Sequence, residues 1–371
     1  MHLVLNSDLN SATFALQLVE FGIMMSKEQR NYWKCLLRRV AIALFTATLL
    51  VSCNREPRPE VSFYYWKSRF FLGKTEREIL NTNNVQKLYV RYFDIDIHPY
   101  IGSATPIVII KGDSLPQCSI VPVVFIKNRV FDNASNQEVD TLCRKVAQLV
   151  ADINQNFGIK PTEMQFDCDW TVKTKNAYFH FLKKYRALTG QTLSATIRLH
   201  QVKYPNRTGV PPVNKGVLMY YNMGSISADG RCSIYDRNVA QKYTGSLGSY
   251  PLPLDVALPI FTWGIQIRQN MVVHLLNKMN EGHFANDPHF KKMDDYRYLV
   301  VAPCFKGGYY FKQGDEVKIE SISRSNLRQM VKDIAQSLKV HPQNLIFYDL
   351  DSVNIKQYEV EIYQKLANRM R

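Results

Sequence analysis

Two carboxylates stand two residues apart in the stretch Glu163-Met164-Gln165-Phe166-Asp167-Cys168-Asp169-Trp170-Thr171, and this spacing is where chemistry could sit. Met164, Phe166, Cys168 and Trp170 alternate with Gln165, Asp167, Asp169 and Thr171, the period of a β-strand with one apolar face. Asp167 and Asp169 therefore share the other face. Two acids on one face of an enclosed strand are costly unless a ligand, a metal or a basic partner meets them. On a strand with one solvated face, the same pair would touch only water and lysines. The flanking elements argue for an enclosed sheet.

From Val61 onward, strand-like and helix-like segments alternate. The pattern predicts strands at Val61–Trp66, Lys87–Asp96, Ile120–Ile126, the acidic stretch itself, Thr192–Leu199, Gly216–Asn222, Asp255–Phe261 and Asn344–Leu350. Helical spacing covers Thr75–Leu80, Asn136–Asn156, Asn176–Leu188, Asp236–Tyr243 and Tyr358–Met370. Eight strands alternating with helices imply an α/β fold with a parallel sheet, and eight such units are what a (β/α)8 TIM barrel requires. The segment from about 277 to 324, with Gly307-Gly308 between aromatic runs, reads as an insertion between the seventh and eighth units. An open doubly wound sheet is the alternative. No Gly-rich phosphate loop follows the first strand, which weakens a nucleotide-binding version.

In a barrel the strand ends converge on one mouth. The residues delivered there are Asp94, Asp96, Lys127, Asp167, Asp169, Arg198, His200, Tyr220, Tyr221, Asn222, Trp263, Tyr348, Asp349 and Asp351. Carboxylates with Tyr, Asn and Trp suit a carbohydrate: acids for glycosidic oxygens, aromatic rings for sugar faces. Candidate ligand-binding residues are Asp94, Arg198, His200, Tyr221, Asn222, Trp263 and Tyr348. Arg91 and Asp94 are close enough in sequence to pair with each other, and His200 at a strand end also fits a hydrogen-bonded structural role. No H-x-x-x-H or similar spacing supports a metal site, and no cofactor is expected.

Phe166-Asp167-Cys168-Asp169-Trp170 resembles the fourth-strand D-x-D-x-E signature of family 18 glycoside hydrolases, the chitinase-like barrels. Met219-Tyr220-Tyr221-Asn222 resembles their sixth-strand M-x-Y-D/N motif, with Tyr221 and Asn222 in the matching places. The resemblance implies a (β/α)8 barrel and substrate-assisted cleavage, in which the acetamido group of the sugar is the nucleophile. It further implies that Asp169 with Tyr221 and Asn222 orients that group, and that a Glu protonates the leaving oxygen. The position of that Glu is Thr171, which cannot act as an acid at neutral pH. Asp167 and Asp169 carry over; the acid does not. Asp349 and Asp351, with Asp169 next, are the carboxylates that could replace it.

The N-terminus predicts an address. Lys34, Arg38 and Arg39 precede the apolar run Val40–Val51, followed by Ser52 and Cys53. That is a secretory signal, too short for the about 20 residues a membrane span needs. Leu50-Val51-Ser52-Cys53 looks like a bacterial lipobox, in which Cys53 is lipidated (palmitate among its acyl groups) and becomes the new N-terminus. Residues 1–52 then form a leader with translation starting at Met24 or Met25, residues 53–60 a tether and residues 61–371 the barrel. The expected location is the bacterial cell envelope, on the outer membrane or cell surface in preference to the inner membrane.

The formal net charge is +15, and removing residues 1–52 takes away five Lys/Arg and three Asp/Glu, leaving +13. Outside the cytoplasm a basic surface points to anionic lipids or acidic glycans, and no nucleic-acid partner is expected. Of the seven Cys, five remain beyond Cys53, with no C-x-x-C pair, which argues against a disulfide framework. Three functions fit: a glycoside hydrolase, a degenerate barrel that binds glycan or peptidoglycan without cutting it, or a scaffold component of an envelope complex.

Overall fold

The computed structural model describes residues 26–28, 31–39 and 58–370. The chain divides into two units, Met1–Pro57 and Arg58–Arg371. In the first, residues 31–39 are helical and exposed throughout. The apolar run Val40–Val51, Cys53 and residues 54–57 of the expected tether lie outside the described residues. No described helix is long and apolar enough to cross a membrane.

In the second unit the strands up to the seventh turn of the barrel are β1 (Glu60–Tyr65), β2 (Lys87–Ile97), β3 (Ala104–Ile107), β4 (Ser119–Ile126), β5 (Glu163–Asp167), β6 (Thr192–Arg198), β7 (Lys215–Met219) and β8 (Leu254–Pro259). Then come β9 (Trp263–Arg268), β10 (Met271–Asn277), β11 (Phe290–Lys292), β12 (Arg297–Val300), β13 (Cys304–Lys306), β14 (Tyr309–Phe311), β15 (Glu316–Glu320) and β16 (Asn344–Tyr348). The parallel ring runs β1, β2, β4, β5, β6, β7, β8, β16 and closes back on β1, where Phe63 pairs with Leu88 on one side and Phe347 on the other. Eight parallel strands with helical crossovers form a closed TIM barrel. Its strands are buried on both faces, by their neighbours inside and the helices outside, which is why they are rich in Val, Ile, Leu and aromatic residues.

The period-2 pattern of β5 places its two faces as the alternation requires. Phe166 packs outward between the rings of Phe181 and Tyr185, at 5.0 and 4.8 Å, on the helix Lys175–Thr189. Trp170, just past the strand, stacks on Tyr178 at 5.4 Å and donates its Nε1–H to the Thr208 carbonyl. Each such side chain stabilises the barrel by roughly 1.5–3 kcal/mol through burial. The helix Asn136–Phe157 docks by the same rule: Val139, Leu142, Cys143, Val146, Val150 and Ile153 lie on one face. Ser135 and Glu138 cap its start reciprocally, and Gly158 ends it at φ 65°, a left-handed turn that suits glycine.

The inward faces near the strand starts carry charge. Lys215 bridges Glu163 at 3.2 Å and Asp255 at 2.8 Å, Ser194 donates to Glu163, and Asn344 donates to Asp255. One step higher, the Tyr64 hydroxyl donates to Gln165. Each buried acid has a basic or hydrogen-bonding partner, which offsets the cost of removing it from water. This polar plug fills the lower barrel and leaves the next residue up the inner face of β5, Asp167, at the mouth.

Two features depart from a regular eightfold pattern. Between β2 and β4 the described residues form no helix; the antiparallel strand β3 pairs with β2 there instead, Asp94 opposite Ile107. Between β8 and the helix Arg324–Ala335 stands a five-stranded antiparallel sheet, ordered β10, β9, β15, β12, β11, beside the hairpin β13–β14. Phe284, Phe290, Tyr298, Phe311 and Val317 give it a core of its own. The sheet begins at Trp263, ahead of Asn277. Its first strand alternates Ile265 and Ile267 with Gly264 and Gln266, so local pattern does not separate it from the barrel strand before it.

Candidate functional site

All eight parallel strands point their C-terminal ends the same way, so residues at and just past those ends surround one opening. Asp167 ends β5 and Asp169 follows it; Arg198 ends β6; Tyr221 and Asn222 follow β7; Tyr348 ends β16 and Asp349 follows it. They line a single cleft of about 410 Å³ together with Trp66, Phe261, Trp263, Lys278 and Asn354.

The floor is aromatic. Tyr348 lies against Tyr221 in a stacked arrangement at 5.6 Å, and Trp66 and Phe261 meet it edge-on at 5.4 and 5.8 Å. Trp263 extends this surface, its ring 5.0 Å from Phe261. The Tyr221 hydroxyl donates to the Met219 sulfur at 2.8 Å, and burial pushes its pKa up, so it stays a neutral phenol. Asn222 holds a positive φ of 56°, a conformation Asn tolerates better than most residues, and this turns the chain at the cleft edge.

The carboxylates divide by environment. Asp167 is buried and accepts a hydrogen bond from the Thr196 hydroxyl at 2.6 Å. Burial pushes its carboxyl up to about 6; Arg198 pulls it down, and the neighbouring Asp169 adds to the rise. Asp169 is half exposed and held by Arg198 through two parallel N–H donors, Nε to Oδ1 and Nη2 to Oδ2. Burial works against the Arg198 charge, but Asp169 more than restores it, leaving the guanidinium above its ordinary pKa. Asp349 is buried, pushed up to about 6 by burial, and accepts from the Asn354 amide at 2.5 Å.

Other residues expected at the mouth are placed elsewhere. Asp94 pairs with Arg91 on its own strand and does not line the cleft. Asp96 is engaged by Lys127 and Arg129. His200 lies largely exposed in the short helix Leu199–Lys203, outside the cleft lining, and partial desolvation of its ring lowers its pKa. Asp351 caps the helix Ser352–Ile355 and is shared by Lys67 and Lys278 at 3.0 and 2.7 Å. Burial opposes its charge, yet those two lysines hold its pKa down. Asp351 is therefore a structural anion, and the eighth-strand carboxylate that lines the cleft is Asp349.

Thr171 does not line the cleft either. Its backbone N–H donates to the Thr174 hydroxyl at 3.0 Å, and its own hydroxyl lies 3.3 Å from the same oxygen. Thr174 donates in turn to Asn128. The residue at the acid position is thus spent on a turn that starts the helix Lys175–Thr189. Among the described residues no cluster of three His, Cys, Asp or Glu is arranged to hold a metal ion.

Lys278, Asn277, Trp66 and Asn354 are lining residues that the sequence reading does not single out. Trp66 was legible, since it closes the first strand. Lys278 and Asn277 come from the inserted sheet, which no periodicity ties to the mouth.

No family model matches the sequence, and no curated protein matches it in sequence. Solved structures share the fold at low sequence identity. The spore cortex-lytic enzyme SleL of Bacillus megaterium superposes with a TM-score of 0.52 at 11% identity, over 86% of this chain and 76% of that one. SleL of Bacillus cereus gives 0.50 at 13% identity, over 84% and 75%. A chitinase from Rhizomucor miehei superposes more loosely, at 0.48 and 10% identity over 83% and 99%. The chain is a TIM barrel, distantly similar in fold to the two SleL enzymes.

Proposed function

We propose that the barrel is a glycan-binding protein of the bacterial envelope that holds a sugar on its aromatic floor without cleaving it. One observation carries this reading: the exposed carboxylate of the D-x-D-x-E-like strand, Asp169, is locked by Arg198, and the acid position is a threonine turned into its own loop. Tyr348, Trp66 and Trp263 offer ring faces, while Asp167, Asn222 and Asn354 offer polar groups around them. Such a lining suits a neutral or acetamido-bearing sugar ring.

The test is calorimetric titration of the full chain with chito-oligosaccharides and soluble peptidoglycan fragments, paired with an assay for new reducing ends. Binding without product is expected. Product formation sinks the non-cleaving reading, and no heat with any glycan sinks the glycan reading altogether.

A second reading, hydrolysis, is favoured by Asp349. A buried carboxyl with a pKa of about 6 in a cleft wall retains a proton often enough near neutral pH to serve as a general acid. Turnover that disappears in Asp349→Asn would establish it.

The same proposal places the protein on a membrane through lipid at Cys53, with anionic lipids or acidic glycans around its basic surface. Radiolabelled palmitate should enter the parent chain, and Cys53→Ala should move the protein from the membrane to the soluble fraction. Equal partitioning of the two forms would exclude the anchor.

A further inference from the structure

Lys318 is 1% exposed and Glu320 is 3% exposed, on the inserted strand β15, and neither belongs to the barrel core. A buried ion pair is expensive unless further hydrogen bonds satisfy both ions. Here they do. The Lys318 ammonium pairs with Glu320 at 2.8 Å and donates to three backbone carbonyls, those of Ser227, Asp229 and Arg231, at 2.9, 2.9 and 3.0 Å. Those carbonyls belong to the loop that follows β7 and begins with Asn222. Glu320 receives the other end of the same loop, accepting from the Ser233 N–H at 3.0 Å and the Ser233 hydroxyl at 2.5 Å. Its Oε2 also accepts the Trp263 indole N–H at 2.9 Å, and Trp263 is its neighbour across the β9–β15 ladder.

Three segments therefore meet on one pair of charges: the loop after β7, strand β15, and the start of strand β9, whose Trp263 indole lines the cleft. The stretch 225–231 carries no strand or helix; besides these bonds it is held by Arg297, which donates to the Ala228 carbonyl, and by the local Arg231–Asp229 pair. A glutamate placed only to neutralise Lys318 would not need to reach the indole.

We propose that Glu320 is a positioning residue for ligand recognition: with Lys318 it fixes the Trp263 ring and the loop bearing Asn222 as one rigid wall of the cleft, and that wall sets affinity for the sugar unit lying beside Trp263. The inference rests on the reading of the cleft as a glycan site. It assigns the inserted sheet a direct part in recognition.

The experiment compares the full chain with Glu320→Ala, Trp263→Phe, the double variant and Glu320→Gln, using chitotetraose as probe in calorimetry and recording tryptophan emission. Glu320→Ala and Trp263→Phe should each weaken binding about tenfold, and the double variant should be no weaker than either, since both break one contact. Glu320→Gln, whose amide oxygen still accepts from Trp263 and Ser233, should bind within about twofold of the parent even if its thermal stability falls. Emission should shift to the red in Glu320→Ala and not shift further in the Trp263→Phe background. Additive losses in the double variant, or parent affinity in Glu320→Ala, would overturn the proposal. If Glu320→Ala does not fold, Trp263→Phe decides, since parent affinity after the indole N–H is lost, with only a smaller phenyl ring in its place, has the same force. Failure of the parent to bind chitotetraose would count against the glycan reading alone; the emission shift would still decide whether Glu320 positions the indole.

Discussion

The Arg198 guanidinium, at the end of β6, reaches Asp169 beyond the neighbouring strand β5 with two parallel donors, the second reaching Oδ2 at 3.0 Å. The pair is lopsided in burial: the Asp169 side chain is 52% exposed and that of Arg198 is 23% exposed. Geometry of this fork type gives orientation as well as attraction, so it fixes where the Asp169 oxygens point. It also sets a positive charge beside the buried Asp167, which lowers the pKa of that acid against burial.

Arg198→Ala should therefore act more on electrostatics than on stability. With Asp169 so exposed, the loss of the pair costs about 1 kcal/mol or less in urea unfolding. The Asp167 carboxyl should rise further above about 6, because the group that pulls it down is gone. Carbon-13 titration of the aspartate carboxyls would register the rise, and an unchanged or lower value would contradict the assignment.

Asp349 makes a pH-dependent contribution of opposite sign to an ordinary surface acid. Its folded pKa of about 6 lies above the unfolded value, so the folded chain binds this proton more tightly. Stability from this group is intact at low pH and falls as pH rises from about 4 to about 6, by up to ~3 kcal/mol. Asp349→Asn should consequently stabilise the protein at pH 7.5 and change it little at pH 4, measured by urea unfolding at both. Asp167, also pushed up to about 6, adds a slope of the same sign. A variant destabilised equally at both pH values would show that the Asn354 contact outweighs burial.

Thr171→Glu should not confer cleavage. The backbone at 171 is tied to Thr174, and Thr171 does not line the cleft, so a longer side chain starts from the wrong place. Reducing-end release should stay at the level of the parent, with glycan affinity unchanged. Measurable turnover would mean that the loop adapts once a carboxylate is offered.

Trp170→Ala should damage the fold and spare the site. The indole is buried, stacks on Tyr178 and donates to the Thr208 carbonyl, all on the outer side of the barrel. Removing it should cost about 3–5 kcal/mol in urea unfolding, with the affinity of the remaining folded protein preserved. A selective loss of affinity would place the indole nearer the ligand than its contacts allow.

The alternation of Met164, Phe166, Cys168 and Trp170 with Gln165, Asp167 and Asp169 was enough to divide helix-facing from barrel-facing side chains. A period of two leaves a strand residue only two directions to point. The same logic, repeated eight times, implied the closed barrel and brought Asp167, Tyr221, Asn222, Tyr348 and Asp349 to one mouth. Periodicity could not say which acids would arrive already paired. Spacing alone offered Arg91 to Asp94, and that pair forms, but Asp351 is claimed by Lys67 and Lys278 from far along the chain. It brought Trp263 to the mouth but could not place the inserted sheet that begins there, whose Asn277 and Lys278 reach the cleft through antiparallel pairing.

The sequence by itself determined the eight barrel strands, the facing of their side chains and the loss of an acid at Thr171, because these depend on residue type and spacing along one chain. Only the tertiary structure decided that Asp169 belongs to Arg198, that Asp349 is left buried at the cleft wall, and that Glu320 holds Trp263. Each of these is a contact between segments remote in sequence, whose strength depends on burial and distance that no local pattern records.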